Sequence, residues 1–406
     1  MFQLKEEAKI KCLESVLLSK KLIIPSLFLS TVVTFIPQLI TSLLLIEISE
    51  SFGIEVGIAG QVRTAAFITS LVLALLMGVL SLRYSHKSLL ATGLLLTCLS
   101  AIFCFLSPTF VVLLLGYSVS GMSMGIARPM ANALVGELFP IDQRPRVISY
   151  LTVGGGAAYL LGSLSIGVIG DWRLTFALLV LPLAVLNLGL VVIGMPLVQS
   201  QPARSTYVSA LKTVLLNKSS VACLISNAFV FITWSVVLSY GASFFRHHFL
   251  LEASFVAYLY IPLSIAYIVA GIVTGRIVQR VNRKKLTTMF ALVHGLCLLV
   301  FFNVPNVWLS LLFWLLSSFT SGARFAAYNS IALEQVPDYR GSMMSLSQVT
   351  QDLGSFIGTG IGGAILLLAS YDFLGVLGAA SIMASLIFHL FVIDPIKKTG
   401  EIIVDC

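Results

Sequence analysis

Gly78-Val-Leu-Ser-Leu-Arg83-Tyr-Ser-His-Lys87, a polar interruption between two apolar segments, returns about 197 residues later as Gly275-Arg-Ile-Val-Gln-Arg280-Val-Asn-Arg-Lys284. A second landmark keeps nearly the same spacing. Ala127-Arg128, followed by Glu137-Leu-Phe-Pro140 and Arg144, returns as Ala323-Arg324, Glu334-Gln-Val-Pro337 and Arg340. Two separate landmarks at one offset mean two structural repeats in one polypeptide, and in a hydrophobic chain such repeats point to a transporter.

The 406 residues around these landmarks are 58% apolar and only 10% charged, with a mean hydropathy of +1.01. No ordinary soluble domain has that composition. Apolar runs suited to a hydrocarbon core of about 30 Å fall at 22–46, 57–80, 88–107, 109–135, 147–169, 173–195, 219–243, 254–275, 286–303, 307–333, 342–369 and 374–393. Segments this long satisfy their own backbone polar groups in lipid only as helices. The expected fold is therefore an all-α multi-pass membrane protein of twelve helices in two pseudo-symmetric six-helix bundles, 1–195 and 219–406. Residues 196–218, where Pro, Gln, Ser and basic residues break the hydrophobic pattern, form the expected cytoplasmic linker. The amino-terminal Lys and Glu cluster lacks a small-residue cleavage site, so no removable signal peptide is expected.

Alternating the spans from a cytoplasmic start puts most of the 25 basic residues inside. Five precede the first span, and Arg83, Lys87, Arg144, Arg146, Arg204, Lys212, Lys218, Arg276, Arg280, Arg283, Lys284, Lys285, Arg340, Lys397 and Lys398 follow in inner loops. Arg173 and Arg246 fall outside, Arg63 lies near the outer end of span two, and Arg128 and Arg324 lie deep in the membrane. This is the positive-inside distribution, with both termini cytoplasmic in a cell membrane. The net charge of +8 then reads as topology and contact with an anionic lipid bilayer, and no aromatic-basic patch suggests nucleic acid. All six cysteines sit in spans or at inner termini, where packing is the expected role. No phosphate loop, H-E-x-x-H or cysteine cluster occurs, so neither ATP hydrolysis, a metal nor another cofactor is expected. Gly358-Thr-Gly-Ile-Gly-Gly363 fits G-x-G-x-x-G in form, but inside an apolar span it reads as a small-residue helix contact.

The loop after span two, with Gly78, Arg83 and Lys87, and its repeat with Gly275, Arg280 and Lys284 resemble the signature of the major facilitator superfamily. So does Glu137 with Arg144, which is similar to that family's E-x6-R pair; Glu334 with Arg340 is one residue shorter. The resemblance spans nearly the whole chain, and within the family it is nearest the twelve-helix drug:proton antiporters and efflux permeases, by the Phe139-Pro140 region and Asp171-Trp172-Arg173. The usual aspartate of the signature is Leu82 in one copy and Gln279 in the other, and the second glycine is Ser85 and Asn282. The Gly-Pro of that branch's fifth span is Gly162-Ser163, and its span-four arginine is Tyr117. Physically, the inner charges Arg83, Lys87, Glu137, Arg144, Arg280, Lys284, Glu334 and Arg340 can form a cytoplasmic gate, clamping neighbouring helices in one state and releasing them in another. They can also be plain topology anchors.

The membrane interior carries a sharper signal, because an ionisable side chain there is costly. Arg128 lies nine residues from Glu137 and Arg324 ten from Glu334, roughly 13–15 Å from the inner face, and Asp352 reaches a similar depth in span eleven. Helical stripes accompany them: Tyr117, Ser120, Met124, Arg128 and Asn132 in span four, and Ser317, Ser321, Arg324 and Tyr328 in span ten. Span eleven aligns Ser345, Gln348, Asp352, Ser355 and Thr359, and span five repeats it as Ser149, Thr152, Gly156, Tyr159 and Ser163. Only at Asp352 and Gly156 does chemistry differ sharply. Arg128 and Arg324 are candidates to hold an acidic group of a small-molecule substrate, and Asp352 to carry the coupling proton, because a buried carboxyl's proton occupancy responds to a charge placed nearby. An Arg324–Asp352 ion pair joining spans ten and eleven is the alternative. Asn227 and Trp234 share a face of span seven and are added to the substrate set with Tyr117, Asn132, Tyr328 and Gln348, while His294 and His389 read as interior packing.

The expectation is a monomeric secondary active transporter exporting small organic molecules against protons. Uptake of an organic anion by symport is the nearer alternative and a membrane sensor with a transporter-like body the other. No nucleophile–base pair supports an enzyme.

Overall fold

The computed structural model of the chain describes residues 2–81, 83–139, 144–196, 206–278 and 281–394. The described residues are all-helical, as the sequence predicts, and ten helices among them are long and apolar enough to cross a bilayer. The first span is α1 (Phe2–Leu43) continued by α2 (Leu45–Phe52). Gly53, at φ +61°, ends α2 in the left-handed conformation a glycine adopts without strain. The second span joins α3 (Val56–Ala59) to α4 (Gln61–Leu80); α5 (His86–Leu106), α6 (Phe110–Leu138) and α7 (Arg144–Ile169) follow. Span six is α8 (Trp172–Thr175), a π-helical turn (Phe176–Val180) and α9 (Leu181–Gly194). The wide turn precedes Pro182, whose missing N–H and ring do not fit a regular helix.

After α10 (Thr206–Leu216), inside the stretch read as a linker, come α11 (Lys218–His248), α12 (Ala253–Ile277), α13 (Arg283–Asn303), α14 (Val307–Ala332), α15 (Arg340–Leu368) and α16 (Asp372–Leu390). Spans five and ten are thus helical, although neither counts among the ten: the apolar part of α7 among the described residues, Val153–Ile169, is shorter. In α14 the polar stripe through Ser317, Ser321 and Arg324 lowers the hydropathy.

Packing repeats as the sequence does. In the first set α1 packs on α7 and α9, α4 and α5 on α6, and α5 on α9; in the second α11 packs on α15 and α16, α12 and α13 on α14, and α13 on α16. Each of these second-set pairs is the repeat counterpart of a first-set pair. The sets meet along two seams, α7 against α12 and α4 against α15. Small residues let helices approach closely: an added Cβ at Gly125 would meet Ser70 Cα at 3.0 Å, and one at Gly354 would meet Phe231 Cβ at 3.0 Å. Gly363 similarly faces the Gly57 carbonyl, so the glycine-rich run of span eleven is the helix contact expected of it.

Two of the departures from the family signature, Ser85 and Asn282, have a local cause, while Leu82 and Gln279 lie outside the described residues. Ser85 accepts the Ser88 N–H at 3.2 Å as N-cap of α5, and Asn282 accepts the Lys285 N–H at 3.2 Å as N-cap of α13. Both side chains satisfy an orphan donor at a helix start, which glycine could not do. Asn217, formally a glycosylation sequon, caps α11 in the same way.

The sets are tied together at the end away from these basic loops. Arg246 pairs with Glu47, Ser42 donates to the Leu238 carbonyl and bonds Tyr260 (2.9 Å), Gln61 donates to the Gly360 carbonyl (3.3 Å) and Thr64 to Thr359 (3.0 Å). Arg63, 1% exposed, donates through Nη1 to the carbonyls of Gln38 (2.8 Å) in one set and Leu238 (3.3 Å) in the other. The bond nearest the basic end joins Ser70 to Asp352.

Candidate functional site

Between the sets lies a cavity of about 270 Å³. From the first set Phe35, Gln38, Arg128, Asn132 and Tyr159 line it, and from the second Trp234, Tyr267, Ser321, Arg324, Gln348 and Asp352. The three interior charges thus share one cavity. Two guanidiniums and one carboxylate give its wall a net positive charge.

The two arginines occupy equivalent repeat positions but are held differently. Arg128 lies over Phe35, its Cζ 3.9 Å from the ring centroid, and its buried Nε and Nη2 have no hydrogen-bond partner. Pro129 follows it, removing one backbone bond to the preceding turn of α6 beside the cavity. Arg324, 3% exposed, gives Nη2 to Asn227 Oδ1 at 3.2 Å and stands 5.2 Å over the Tyr328 ring. Asn227 and Tyr328 both reach Ser347, at 3.3 and 3.1 Å. Together they fix Arg324 from behind.

Asp352, 3% exposed, accepts from Ser70 Oγ at 3.0 Å across the α4–α15 seam and from Gln348 Nε2 at 3.1 Å within its own helix. Its carboxylate is held by these donors and the Arg324 guanidinium by Asn227, so the alternative Arg324–Asp352 ion pair is not the arrangement adopted. The tie crosses to the other helix set instead.

Of the substrate set read from sequence, Asn132, Trp234 and Gln348 line the cavity, whereas Asn227 and Tyr328 stand behind Arg324. Tyr117, 1% exposed, is displaced altogether: it bonds Thr41 at 3.0 Å and meets Phe176 edge-on in the first set's core. Its stripe spans more of the helix circumference than one cavity covers. His294 is interior as expected, in contact with the Ser317 carbonyl at 3.0 Å through Nδ1, though its Nε2 has no partner.

The inner charges act mainly within one set. Glu137 takes His86 Nδ1 at 2.6 Å as partner, while Arg83 is exposed. Lys87 donates to the carbonyls of Val192 (2.8 Å) and Met195 (2.5 Å) at the end of α9, and Lys284 to Leu390 (2.8 Å) at the end of α16. Both lysines cap orphan carbonyls at a negative helix end. Arg283, beside Lys284, forms a buried pair with Asp394 and also reaches Ser330. Glu334 is half-buried just past α14; Arg280 and the side chains of Arg144 and Arg340 lie outside the described residues.

Sequence reading missed Phe35, Ser70, Tyr159 and Arg63 as members of the site or its roof. Arg63 carried a signal, an arginine within an apolar span, but its place near the span's end hid it. Tyr159 stood in the span-five stripe; nothing marked Phe35 or Ser70.

The sequence profile of the Major Facilitator Superfamily matches residues 27–302 and 223–402 of this chain. The uncharacterized MFS-type transporter YceJ of Bacillus subtilis (strain 168) is 23% identical over 359 residues, 87% of this chain and 91% of that protein. Protein spinster homolog 1 of Mus musculus is 35% identical over 158 residues, 36% of this chain and 30% of that protein. Among solved structures, a D-xylose-proton symporter superposes with a TM-score of 0.74 at 17% identity, over 92% of this chain and 98% of that one. A bacterial homolog of the human lysosomal transporter Spinster, in an inward-facing and occupied conformation, gives 0.67 at 16% identity, over 92% and 96%. At such identities the structural likeness speaks for the fold.

Proposed function

This chain belongs to the major facilitator superfamily of transporters, and from that premise we propose that it moves a small organic anion or zwitterion across a cell membrane by alternating access, in exchange for protons. The observation that carries the reading is the cavity where Arg128 of one helix set faces Arg324 and Asp352 of the other. A site built from both sets changes shape whenever the sets rock, as alternating access requires. Its positive wall suits an acidic group, because guanidinium donates in a planar fork matched to carboxylate or phosphate.

Asp352 is the proton carrier in this reading. Its carboxylate is bonded to Ser70 across a seam, so gain or loss of its proton changes a contact between the sets as well as the cavity's charge. An anion arriving at Arg128 competes with Asp352 for the same field and alters its proton occupancy. Asn132, Trp234 and Gln348 complete the substrate wall, while Asn227 and Tyr328 position Arg324. The basic loops are assigned to the cytoplasmic face, with both termini there, and the ties from Glu47–Arg246 inward to the closed outer end. The inner charges Arg83, Glu137, Arg144, Arg280, Glu334 and Arg340 are assigned to the cytoplasmic gate, with Lys87 and Lys284 holding helix ends beneath it. Export as the direction follows the Phe139-Pro140 and Asp171-Trp172-Arg173 resemblance; a monomer with one six-helix bundle on each side of residues 196–218 is the functional unit.

Reconstitution into liposomes with an imposed pH gradient, screened with acidic, zwitterionic and cationic compounds, tests the proposal. Uphill movement of acidic or zwitterionic compounds opposite to the proton flux is expected. Movement with the protons would make the chain a symporter, and gradient-independent flux would end the coupling proposal.

A further inference from the structure

Three buried donors without acceptors meet in one corner of the cavity: Nε and Nη2 of Arg128 and the hydroxyl of Tyr159. Each belongs to a side chain that lines the cavity. Burying a donor unpaired costs about 1–3 kcal/mol, so three in one place need an explanation. The other two charges of the cavity are engaged, Arg324 with Asn227 and Asp352 with Ser70 and Gln348.

The geometry of the corner is built. Phe35 is its platform: the Arg128 guanidinium lies on one part of the ring at 3.9 Å, and the Tyr159 ring meets it at 6.0 Å between centroids, tilted by 56°. Arg128 and Tyr159 are close enough to sense each other electrostatically. Nε and Nη2 are the two donors along one edge of the guanidinium plane, the edge that grips both oxygens of a carboxylate at once. Tyr159 adds a donor for a remaining lone pair. Charge selects among oxyanions: the wall's two guanidiniums and one carboxylate leave one uncompensated positive charge, which a monoanion cancels and a dianion overshoots.

We infer that Arg128 and Tyr159, mounted on Phe35, form a carboxylate subsite, and that the Tyr159 hydroxyl is a specificity determinant that favours a monoanionic carboxylate over its neutral amide. The inference rests on reading this cavity as the substrate site. The tilted Trp234–Tyr267 pair, 5.7 Å between centroids, gives the same cavity an aromatic wall for the body of such a ligand.

Benzoate, benzamide and phenylphosphonate serve as probes, titrated against the full chain in nanodiscs and read by the fluorescence of Trp234 and Trp314, both of which line the cavity. Wild type is expected to bind benzoate about tenfold or more tightly than benzamide, the effect of a charge-assisted hydrogen bond. Y159F keeps the ring on Phe35 and removes only the hydroxyl; it should cut the benzoate preference about tenfold and leave benzamide affinity and thermal stability unchanged. Equal benzoate affinity in Y159F and wild type, or an equal loss for both probes, overturns the role of Tyr159 while the anion site stands. Tighter binding of phenylphosphonate than benzoate overturns the carboxylate assignment. Absence of any preference for benzoate in wild type removes both this inference and the anion reading of the cavity beneath it.

Discussion

Replacing Asp352 by asparagine separates coupling from binding, and the structure says why the variant should fold. Ser70 donates to Oδ2 and Gln348 to Oδ1. Asparagine keeps an oxygen for Gln348, and its amide replaces the second oxygen with a donor that the Ser70 hydroxyl can rotate to accept. Both bonds survive in number, so the expected stability change is within about 1 kcal/mol. The charge and the exchangeable proton are gone. A gradient of one pH unit carries about 1.4 kcal/mol per proton, enough for about tenfold accumulation in one-for-one exchange. In proteoliposomes wild type should approach that ratio under a one-unit gradient and D352N should stay near unity, while counterflow between equal pools continues in the variant and no longer varies with pH. Gradient-driven accumulation by D352N at the wild-type level would refute the assignment of the proton to Asp352.

Arg128→Ala removes donors that no protein acceptor uses, so it should raise the half-saturation concentration for transport about tenfold to a hundredfold with thermal stability unchanged. Arg324→Ala withdraws a donor from Asn227 Oδ1 and should lower thermal stability as well as affinity, by about 1–3 kcal/mol in a denaturation assay. Asp394→Asn breaks a pair whose side chains are 6% and 7% exposed and should destabilise by about 3–5 kcal/mol. Glu47→Gln, in a pair 15% and 24% exposed, should cost no more than about 1 kcal/mol; equal losses for these two variants in the same melt would contradict the burial argument.

The spans and the repeat were legible because hydropathy and a fixed offset are local, additive signals. That Arg128, Arg324 and Asp352 lie at one height along neighbouring helices was legible too, since helical rise converts sequence distance from the inner loops into position along the helix, and the three line one cavity. Rotation was harder to read. Tyr117, Ser120, Met124, Arg128 and Asn132 form a stripe at helical spacing, yet Tyr117 points into the first set's own core while Asn132 reaches the cavity, because 3.6-residue spacing drifts around the helix over four turns. Partners were harder still. Glu137 bonds His86 and not Arg83, since the chain turns between 83 and 86 and only the helix start at His86 lies against α6. Ser70 and Phe35 carry no mark that separates them from dozens of similar residues in apolar spans, and what they do depends on which helix faces them.

The repeat itself shows why chemistry gathers on one seam. Gly156 and Asp352 hold equivalent positions, each on a helix that packs against the other set. On the α7–α12 seam an added Cβ at Gly156 would come within 2.5 Å of Ile268 Cδ1, so that side is filled by an apolar side chain and has no room for a carboxylate. On the α4–α15 seam, Asp352 meets Ser70. The residue that corresponds to Ser70 in the second repeat is Tyr267, which turns to Trp234 in the cavity wall. Duplicated positions have thus diverged so that at this point one seam holds an apolar contact and the other an ionisable bond. An apolar seam has no directional bonds to break when helices slide, whereas a carboxylate–hydroxyl bond depends on protonation and geometry together. In the proposed exchange, such a division would let one contact respond to the proton while the opposite contact moves with little resistance, an asymmetry that suits proton coupling on a pseudo-symmetric scaffold.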